Sequence, residues 1–298
     1  MRVLSYGATG VQGEPVARLL LQAGYAVNVV VRHPEKAASL QAMGAHVYRG
    51  DLNDAASLDN AHEGVDAVFL MLPFGGDGNP IARTGAALEA LKRAGVKRLV
   101  LNTSGQTPSA PTGIPMMDYR IQVEAMVRDS GVDSVILRPT AYMENLMGPW
   151  TLPGIQQAHE IAYPVSRERP TSWIAAEDLG RLAVAALERP ELAGQTFNIG
   201  GPEGLTGDRI AQSFTNALGQ PYTYRAITPD EFGDMMAQIM GPEAGEATRS
   251  AYRAGEAAPI DAMHVNMDAV LEKLPVQLTS LEEWVRQRAD VFKQAVGV

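Results

Sequence analysis

Three glycines near the amino terminus have the spacing of a phosphate-binding turn. The segment Gly7-Ala8-Thr9-Gly10-Val11-Gln12-Gly13 separates a short apolar run from a segment with helical periodicity. In such a turn one glycine permits the tight bend, one lets the backbone approach a pyrophosphate, and one lets the helix pack closely on the strand. The amides that open the helix then face the phosphates. This placement favours a dinucleotide site over a plain turn, and the residues assigned to it are Gly7, Thr9, Gly10, Val11, Gln12 and Gly13.

Basic residues stand at the end of the second apolar run, where a site for NAD would carry Asp or Glu. They are Arg32 and Lys36, and the nearest acid is Glu35. A guanidinium can bind a 2′-phosphate through two charge-assisted hydrogen bonds. The turn therefore favours NADP(H), with NAD(H) as the other candidate, and a solvated basic turn without a ligand is the alternative interpretation.

Asp51 and Leu52 directly follow the third apolar run. In doubly wound sheets that position borders the adenine ring, so the Asp51 carboxylate could accept from the amino group while Leu52 packs on the ring face. Asp51 could equally cap the turn that follows it. The sequence leaves these two roles open.

Short apolar runs alternate with helical patterns through the first half of the chain. Continuous apolar strands separated by helices are typical of a parallel sheet covered on both faces. We predict an α/β fold: a doubly wound parallel Rossmann sheet over 1–150, to which 172–200 return, and a smaller, mainly helical C-terminal substrate domain over 151–171 and 201–298. The strands are predicted at 2–6, 26–32, 45–49, 66–72, 97–103, 132–137, 196–199 and 222–227, the last helix at 280–292, and a mobile helical lid at 241–259.

The composition excludes several kinds of chemistry. The chain has 25 Lys and Arg against 34 Asp and Glu, a net charge of −9, which disfavours direct nucleic-acid binding through a broad basic face. It has no cysteine, and its five histidines are scattered, so thiolate catalysis is excluded and no metal site is expected. Neither a signal peptide nor a membrane span is recognisable. We therefore expect a cytoplasmic protein that does not associate with membranes.

These segments together resemble the NmrA-like branch of the atypical short-chain dehydrogenases/reductases. Beyond the glycine turn, the basic turn and Gly50-Asp51-Leu52, the resemblance rests on Leu137-Arg138-Pro139-Thr140-x-x-x-Glu144-Asn145, Ala176-Glu177-Asp178-Leu179-Gly180 and Phe197-Asn198-Ile199-Gly200-Gly201. It covers about the first 200 residues. The resemblance implies an NAD(P)-binding Rossmann domain with a small substrate domain. The family includes NADPH-dependent quinone reductases, isoflavone-type reductases and regulators that bind the dinucleotide without turning it over.

The catalytic pattern of that family is altered here. Typical short-chain dehydrogenases pair a Ser with Tyr-x-x-x-Lys, whose Lys lowers the pKa of the Tyr for proton transfer. Ser104 could supply the hydroxyl, but Val123 stands four residues after Tyr119, so the dyad is absent. NmrA-like reductases usually carry Lys-x-x-x-Glu on this helix, and Arg120-x-x-x-Glu124 has Arg in place of that Lys.

A guanidinium at position 120 changes the available chemistry. It cannot act as a general acid, although it can bind the nicotinamide ribose or stabilise a developing oxyanion. Tyr119 remains a candidate proton donor, so Tyr119, Arg120 and Ser104 are the candidate catalytic residues. The alternative is that 119 and 120 are ordinary residues of a helix surface.

The ligand of a doubly wound sheet lies beyond the carboxyl ends of its strands. The residues assigned there to the cofactor are Leu72, Pro73, Thr103 and Pro139, and those assigned to the substrate are Phe74, Tyr142, Asn145 and Trp173. This apolar lining suits a flat apolar substrate such as a quinone or an enone.

Two functions fit these residues. The first is an NADPH-dependent reductase that transfers a hydride to a small apolar carbonyl or quinone. Reduction of a quinone requires little acid–base catalysis from the protein. The second is a non-catalytic NADP(H) sensor that acts through a protein partner. The sequence leaves both a homodimer and a protein partner open.

Overall fold

The computed structural model describes residues 1–71 and 79–293. They group into two compact units. The first comprises Met1–Pro139, Ala176–Asn198 and Asp268–Val276, and the second comprises Thr140–Ala175, Ile199–Met267 and the chain from Gln277 onward. No helix among the described residues is long and apolar enough to cross a membrane.

The elements alternate along the first half of the chain as the apolar runs predict. The strands are β1 (Arg2–Tyr6), β2 (Ala26–Val31), β3 (His46–Arg49), β4 (Ala67–Met71), β5 (Arg98–Asn102), β6 (Asp133–Pro139), β7 (Glu160–Tyr163), β8 (Thr196–Ile199) and β9 (Thr223–Ala226). The helices are α1 (Gly13–Gln22), α2 (Ala38–Ala42), α3 (Asp59–His62), α4 (Pro80–Arg93), α5 (Pro115–Asp129), α6 (Leu152–Ala158), α7 (Ala176–Leu187), α8 (Gly207–Leu218), α9 (Pro229–Met240), α10 (Pro242–Ala257), α11 (Asp268–Lys273), α12 (Leu281–Gln287) and α13 (Ala289–Lys293).

The first unit is built on a seven-stranded, mainly parallel sheet of order β3-β2-β1-β4-β5-β6-β8. Helix α1 packs against α7, and α4 packs against α5. All five residues of β4 are buried, as its apolar sequence requires of a central strand. The strand order reverses between β1 and β4, which makes the carboxyl ends of these two strands the topological switch point where ligands of such sheets bind.

The sequence-based division of the chain differs from the observed units at four places. Residues 140–150, 172–175 and 199–200 belong to the second unit, and 268–276 belong to the first. Helix α11 joins the first unit because the Lys273 ammonium donates to Gln195 Oε1 at 2.8 Å and lies 5.9 Å from the centre of the Phe197 ring. A polar helix of six residues gives no sequence signal of that docking.

The second unit carries the parallel pair β7–β9 beside its helices. The sequence predicted neither β7 nor α6, because both are short and lie in a region rich in proline. The last helix is also interrupted: α12 ends at Gln287 and α13 begins at Ala289, with Arg288 outside helical geometry at φ −116° and ψ 21°. The core of this unit is aromatic, and its largest fully buried side chains are Trp173, Trp284, Tyr163, Phe214 and Phe292.

The segment predicted as a helical lid forms α10. Its carboxyl end is bound by the buried Arg169, whose guanidinium donates to the carbonyl oxygens of Pro259 at 2.5 Å and Ala258 at 3.0 Å. A cation at this end of a helix also opposes the negative end of the helix dipole. On the helix itself, Arg249 forms ion pairs with Asp230 and Asp234 of α9. The hairpin of α9 and α10 is therefore fixed at its open end and along its length.

His62, at the end of α3, predicts a pH dependence of stability. Its ring is completely buried, with Nδ1 2.9 Å from Leu58 O and Nε2 3.5 Å from the Tyr6 hydroxyl. Burial lowers the pKa of the His62 imidazole and outweighs the hydrogen bond to Leu58. The unfolded chain therefore binds a proton at this histidine as the pH falls through about 6.5, whereas the folded chain binds it only at a lower pH. This histidine makes the free energy of unfolding fall with decreasing pH, by at most about 1.4 kcal/mol per pH unit.

We expect His62→Gln, which can still reach Leu58 O, to remove that contribution. Denaturant unfolding at a series of pH values from neutral to mildly acidic measures it as the difference between the parent and the variant. His33→Gln, at an exposed position, is the matched control and should follow the parent. Parallel pH profiles for the parent and His62→Gln would contradict a neutral buried imidazole.

Candidate functional site

The glycine turn joins β1 to α1 with its backbone folded back on itself. Gly7 has φ +70°, and Gly10 N donates to Gly7 O at 2.9 Å. A Cβ on Gly13 would lie 2.3 Å from Gly7 O, so no other residue fits there. No described residue accepts from the amides of Val11 and Gln12 at the start of α1. Free amides at the start of a helix, beside glycines that leave room for a ligand to approach the backbone, fit a pyrophosphate.

A basic edge lies where β2 and β3 end. Arg32 and Lys36 are exposed, and among the described residues neither has an acidic partner. The sheet register places Arg49, the last residue of β3, opposite Val31. Arg49 is also exposed and was not singled out from the sequence, because only the pairing of the two strands brings its position to the end of β2. Three cations without acidic partners fit a phosphate group.

Asp51 caps its own turn. Its Oδ1 accepts from the backbone amide of Asn53 at 2.9 Å, and its own amide donates to Ser57 Oγ at 2.9 Å. The capping role that the sequence left open is thus formed, while contact of Asp51 with an adenine stays a prediction. Leu52 is partly buried against the core of the first unit.

The carboxyl end of β5 presents a chain of polar groups. Asn102 Nδ2 and Ser104 Oγ both donate to Gln12 Oε1, each at 2.9 Å. Ser104 has φ +57°, in the left-handed region. The Thr103 side chain is buried, and its hydroxyl donates to Gly105 O at 2.6 Å with Leu137 O also within reach at 3.1 Å, so it faces backbone rather than a ligand. The glycine turn and the end of β5 are therefore linked through Gln12.

Helix α5 brings Tyr119 and Arg120 to the same end of the sheet. Arg120 Nε donates to Thr103 O at 3.1 Å and Nη1 donates to Met116 O at 3.0 Å. Its guanidinium carbon lies 5.1 Å from the centre of the Tyr119 ring, and its Nη2 lies beside Gly105, where it would be 3.1 Å from a Cβ. Both side chains are half-buried. Arg120 is thus held by backbone carbonyls and has no acidic partner among the described residues.

Glu124 does not pair with Arg120, although the two are four residues apart. Its side chain is 1 % exposed and receives two hydrogen bonds from Arg138, at 2.7 and 2.6 Å, one from Arg128 at 2.7 Å and one from Thr107 at 2.5 Å. Burial alone would raise the pKa of the Glu124 carboxyl, but these donors outweigh it and lower the pKa below its ordinary value. Glu124 is therefore a buried anion that joins α5 to β6 and to the loop after β5.

A second carboxylate orders the segment before α5. Asp118 accepts from the amides of Thr112 and Gly113 and from the Thr112 hydroxyl, each at 2.8 Å. These hydrogen bonds lower the pKa of the Asp118 carboxyl. Tyr119, next in sequence, borders an open groove between the starts of α4 and α5. The groove is also lined by Asn79, Pro80, Ile81, Gly113, Pro115, Asp118 and Gln122.

The remaining predicted site residues fall into three groups. Pro139 is buried at the end of β6. Leu72, Pro73 and Phe74 lie outside the described residues. In the second unit Tyr142 is buried, Asn145 donates to the Tyr163 hydroxyl at 3.2 Å, and Trp173 is only 1 % exposed.

Trp173, which the sequence assigned to the substrate, packs in the core of the second unit, and its contact with a substrate stays a prediction. Its ring centre lies 5.0 Å from that of Tyr163, in an edge-on contact within the core of the second unit. An aromatic residue after a run of prolines gives the same sequence signal whether it lines a surface or fills a core.

A Rossmann sheet with a glycine turn at its switch point defines a dinucleotide-binding class of protein. The profile of the NmrA-like family matches residues 1–285, and the chain belongs to that family. It is 30 % identical to the NAD(P)H azoreductase of Xenophilus azovorans over 98 % of this chain and 100 % of that protein. It is 26 % identical to quinone oxidoreductase 2 of Escherichia coli over 80 % of this chain and 82 % of that protein.

A solved structure of a regulator is also similar. It is that of NmrA, a negative transcriptional regulator, in complex with NADP, with a TM-score of 0.80 and 21 % identity over 99 % of this chain and 98 % of that chain. At 21 % identity this similarity shows that the two proteins share a fold, and nothing more.

The Glu124 cluster predicts a large loss of stability on neutralisation. Removing one partner of a buried ion pair costs about 3–5 kcal/mol, because the remaining charges are left uncompensated. Since both arginines are partly exposed, we expect Glu124→Gln to lower the free energy of unfolding by about 3 kcal/mol in denaturant titrations. Glu89→Gln, at an exposed carboxylate 3.9 Å from Arg93, should change it by less than about 0.5 kcal/mol. Equal effects of the two variants would contradict the role of Glu124.

Proposed function

We propose that the protein is an NADPH-dependent reductase that transfers a hydride to a small apolar carbonyl or quinone. The observation that supports this most is Arg120, a half-buried guanidinium at the carboxyl end of β5 with no acidic partner among the described residues. A fixed cation there suits a reaction in which negative charge develops on the substrate. The names of the azoreductase and quinone oxidoreductase relatives agree with this class of reaction.

The first unit offers residues for each part of the cofactor. The amides of Val11 and Gln12 would hold the pyrophosphate, and Arg32, Lys36 and Arg49 would hold the 2′-phosphate. The side chain of Gln12 places further hydrogen-bonding groups between the turn and Ser104. Bound NADPH would supply the hydride, while the protein supplies position and charge.

Arg120 and Tyr119 would act on the substrate in different ways. Two of the guanidinium nitrogens are committed to backbone carbonyls, which leaves Nη2 to stabilise an oxyanion without moving. Tyr119 has no hydrogen-bond partner among the described residues, so its hydroxyl is available to a substrate in the groove beside it. A quinone requires few further catalytic groups from the protein, because its own electron affinity favours hydride transfer.

This function predicts oxidation of NADPH by small quinones, with a specific role for Arg120. Removing one preorganised donor from an oxyanion site lowers kcat about 10²–10³-fold. We expect Arg120→Ala to show a loss of this order with little change in the dissociation constant of NADPH, and Tyr119→Phe to show a smaller loss. The nicotinamide absorbance measures turnover, and Arg93→Ala, an exposed arginine on α4, is the control. Turnover of both site variants equal to that of the parent would contradict the proposal.

The basic edge predicts the choice of cofactor. Hydrogen bonds to a charged group contribute about 1.5–3 kcal/mol, so loss of Arg32 should weaken NADPH binding roughly tenfold to a hundredfold. NADH has no 2′-phosphate, and its affinity should change little in Arg32→Ala. Calorimetric titration of both cofactors measures this, with Lys97→Ala, an exposed cation elsewhere on the first unit, as the control. Equal losses for NADPH and NADH would exclude the 2′-phosphate role.

The second candidate is a non-catalytic NADP(H) sensor that acts through a protein partner. It is favoured by Arg at position 120, which leaves the helix without the Lys that supports proton transfer in reductases of the family. The likeness to a negative transcriptional regulator agrees with it. A sensor would bind NADP⁺ and NADPH with no oxidation by any quinone tested.

A further inference from the structure

The direction of the hydrogen bonds at Gln12 is fixed by a backbone amide. The amide of Ser104 donates to the Asn102 side chain at 2.9 Å, and a backbone N–H can only donate, so the accepting atom is Asn102 Oδ1. Asn102 Nδ2 is then the group that donates to Gln12, and the accepting atom there is Oε1. The amide orientations of Asn102 and Gln12 follow from this chain and not from a choice between equivalent fits.

The Ser104 hydroxyl consequently donates to Gln12, and toward any other group it can only accept a hydrogen bond. Its hydroxyl has one proton, and that proton lies between Oγ and Gln12 Oε1, 2.9 Å apart. No described residue donates to Ser104 Oγ, and none accepts from the two N–H groups of Gln12 Nε2. Both side chains are half-buried. The pair therefore presents a hydrogen-bond acceptor beside a pair of donors.

The backbone conformation that positions the Ser104 hydroxyl is energetically unfavourable. A left-handed backbone at a residue with a side chain is unfavourable by about 1–2 kcal/mol, and Ser104 has φ +57°. The bond from its amide to Asn102, which is 2 % exposed, holds Ser104 in that conformation. Such strain is found chiefly where a side chain must be aimed at a ligand.

We propose that Ser104 and Gln12 together bind the primary carboxamide of the nicotinamide ring. A carboxamide has an N–H donor for Ser104 Oγ and a carbonyl acceptor for Gln12 Nε2, which matches the two groups that the pair presents. The inference rests on the proposed function, because it assumes a nicotinamide cofactor. It gives Ser104 a binding role, since its proton is committed to Gln12 and is not available to a substrate.

The test compares NADP⁺ with its 3-acetylpyridine analogue, which keeps the carbonyl and replaces the amide nitrogen with a methyl group. A lost hydrogen bond that leaves a partner unsatisfied corresponds to about a tenfold change in affinity. We expect the parent to bind NADP⁺ about tenfold more tightly than the analogue in calorimetric titrations. Ser104→Gly removes the hydroxyl and suits the left-handed backbone, and it should bind both ligands equally. Gln12→Met should weaken both, because the donor to the carbonyl is lost.

Controls separate this inference from the proposed function. Ser39→Ala, at an exposed serine of α2, should keep the preference of the parent. Adenosine 2′,5′-bisphosphate, which has no nicotinamide, should bind the parent and Ser104→Gly equally, which also shows that the variant is folded. A parent that binds NADP⁺ and its analogue equally, or a Ser104→Gly variant that still prefers NADP⁺, would overturn the carboxamide role alone. A parent that binds neither the bisphosphate nor NADP⁺ would overturn the proposed function with it.

Discussion

The buried carboxylate of Glu124 is the constraint on which the arrangement of α5, β6 and the loop after β5 depends. A carboxylate that is 1 % exposed is stable as an anion only when donors replace its water, and here they come from three parts of the chain. Arg138 belongs to β6, Arg128 to α5 and Thr107 to the loop after β5. The hydrogen bonds that stabilise the Glu124 carboxylate therefore also hold α5, the helix that carries Tyr119 and Arg120, against the sheet.

The consequence for Arg120 is separation from Glu124, the acid one helical turn further along α5. An Arg and a Glu four residues apart on a helix would ordinarily attract each other. Because Glu124 is already saturated by other donors, Arg120 instead donates to the carbonyls of Thr103 and Met116. Carbonyl acceptors hold the guanidinium in place without neutralising it. The buried ion cluster thereby leaves Arg120 without an acidic partner among the residues that the structure describes.

The parallel sheet explains why residues far apart in sequence meet there. β4 lies between β1 and β5, and the register places Met71 beside Asn102. The turn after β1 and the loop after β5 must therefore approach each other across the end of β4. Gln12 is long enough to span that distance and accepts from both Asn102 and Ser104. One side chain thus connects the glycine turn to the loop after β5.

Much of this organisation was predictable from the sequence, and the limits have physical causes. Short runs rich in apolar residues, each followed by a glycine, predicted β1 and β8 with their observed bounds. The short strand β7 was not predicted, since its four residues pair only with β9, about 60 residues later. The burial of Trp173 and of Glu124 depends on contacts with other parts of the chain, which periodicity does not encode.

The direction of the hydrogen bonds is the property of the site that the sequence predicts least well. The motif Asn102-Thr103-Ser104 suggested a catalytic hydroxyl, and that suggestion was reasonable because serine can both donate and accept. Which of the two it does depends on Gln12, about 90 residues earlier, and on the orientation of the Asn102 amide. Since Ser104 donates to Gln12 Oε1, an atom that can only accept, Tyr119 and solvent are the proton sources that the proposed reduction leaves among the described residues. The Arg120 guanidinium, the Ser104 hydroxyl as an acceptor and the Tyr119 phenol, which has no partner among the described residues, suit the quinone that we propose as substrate, because reduction of a quinone depends more on charge than on proton transfer.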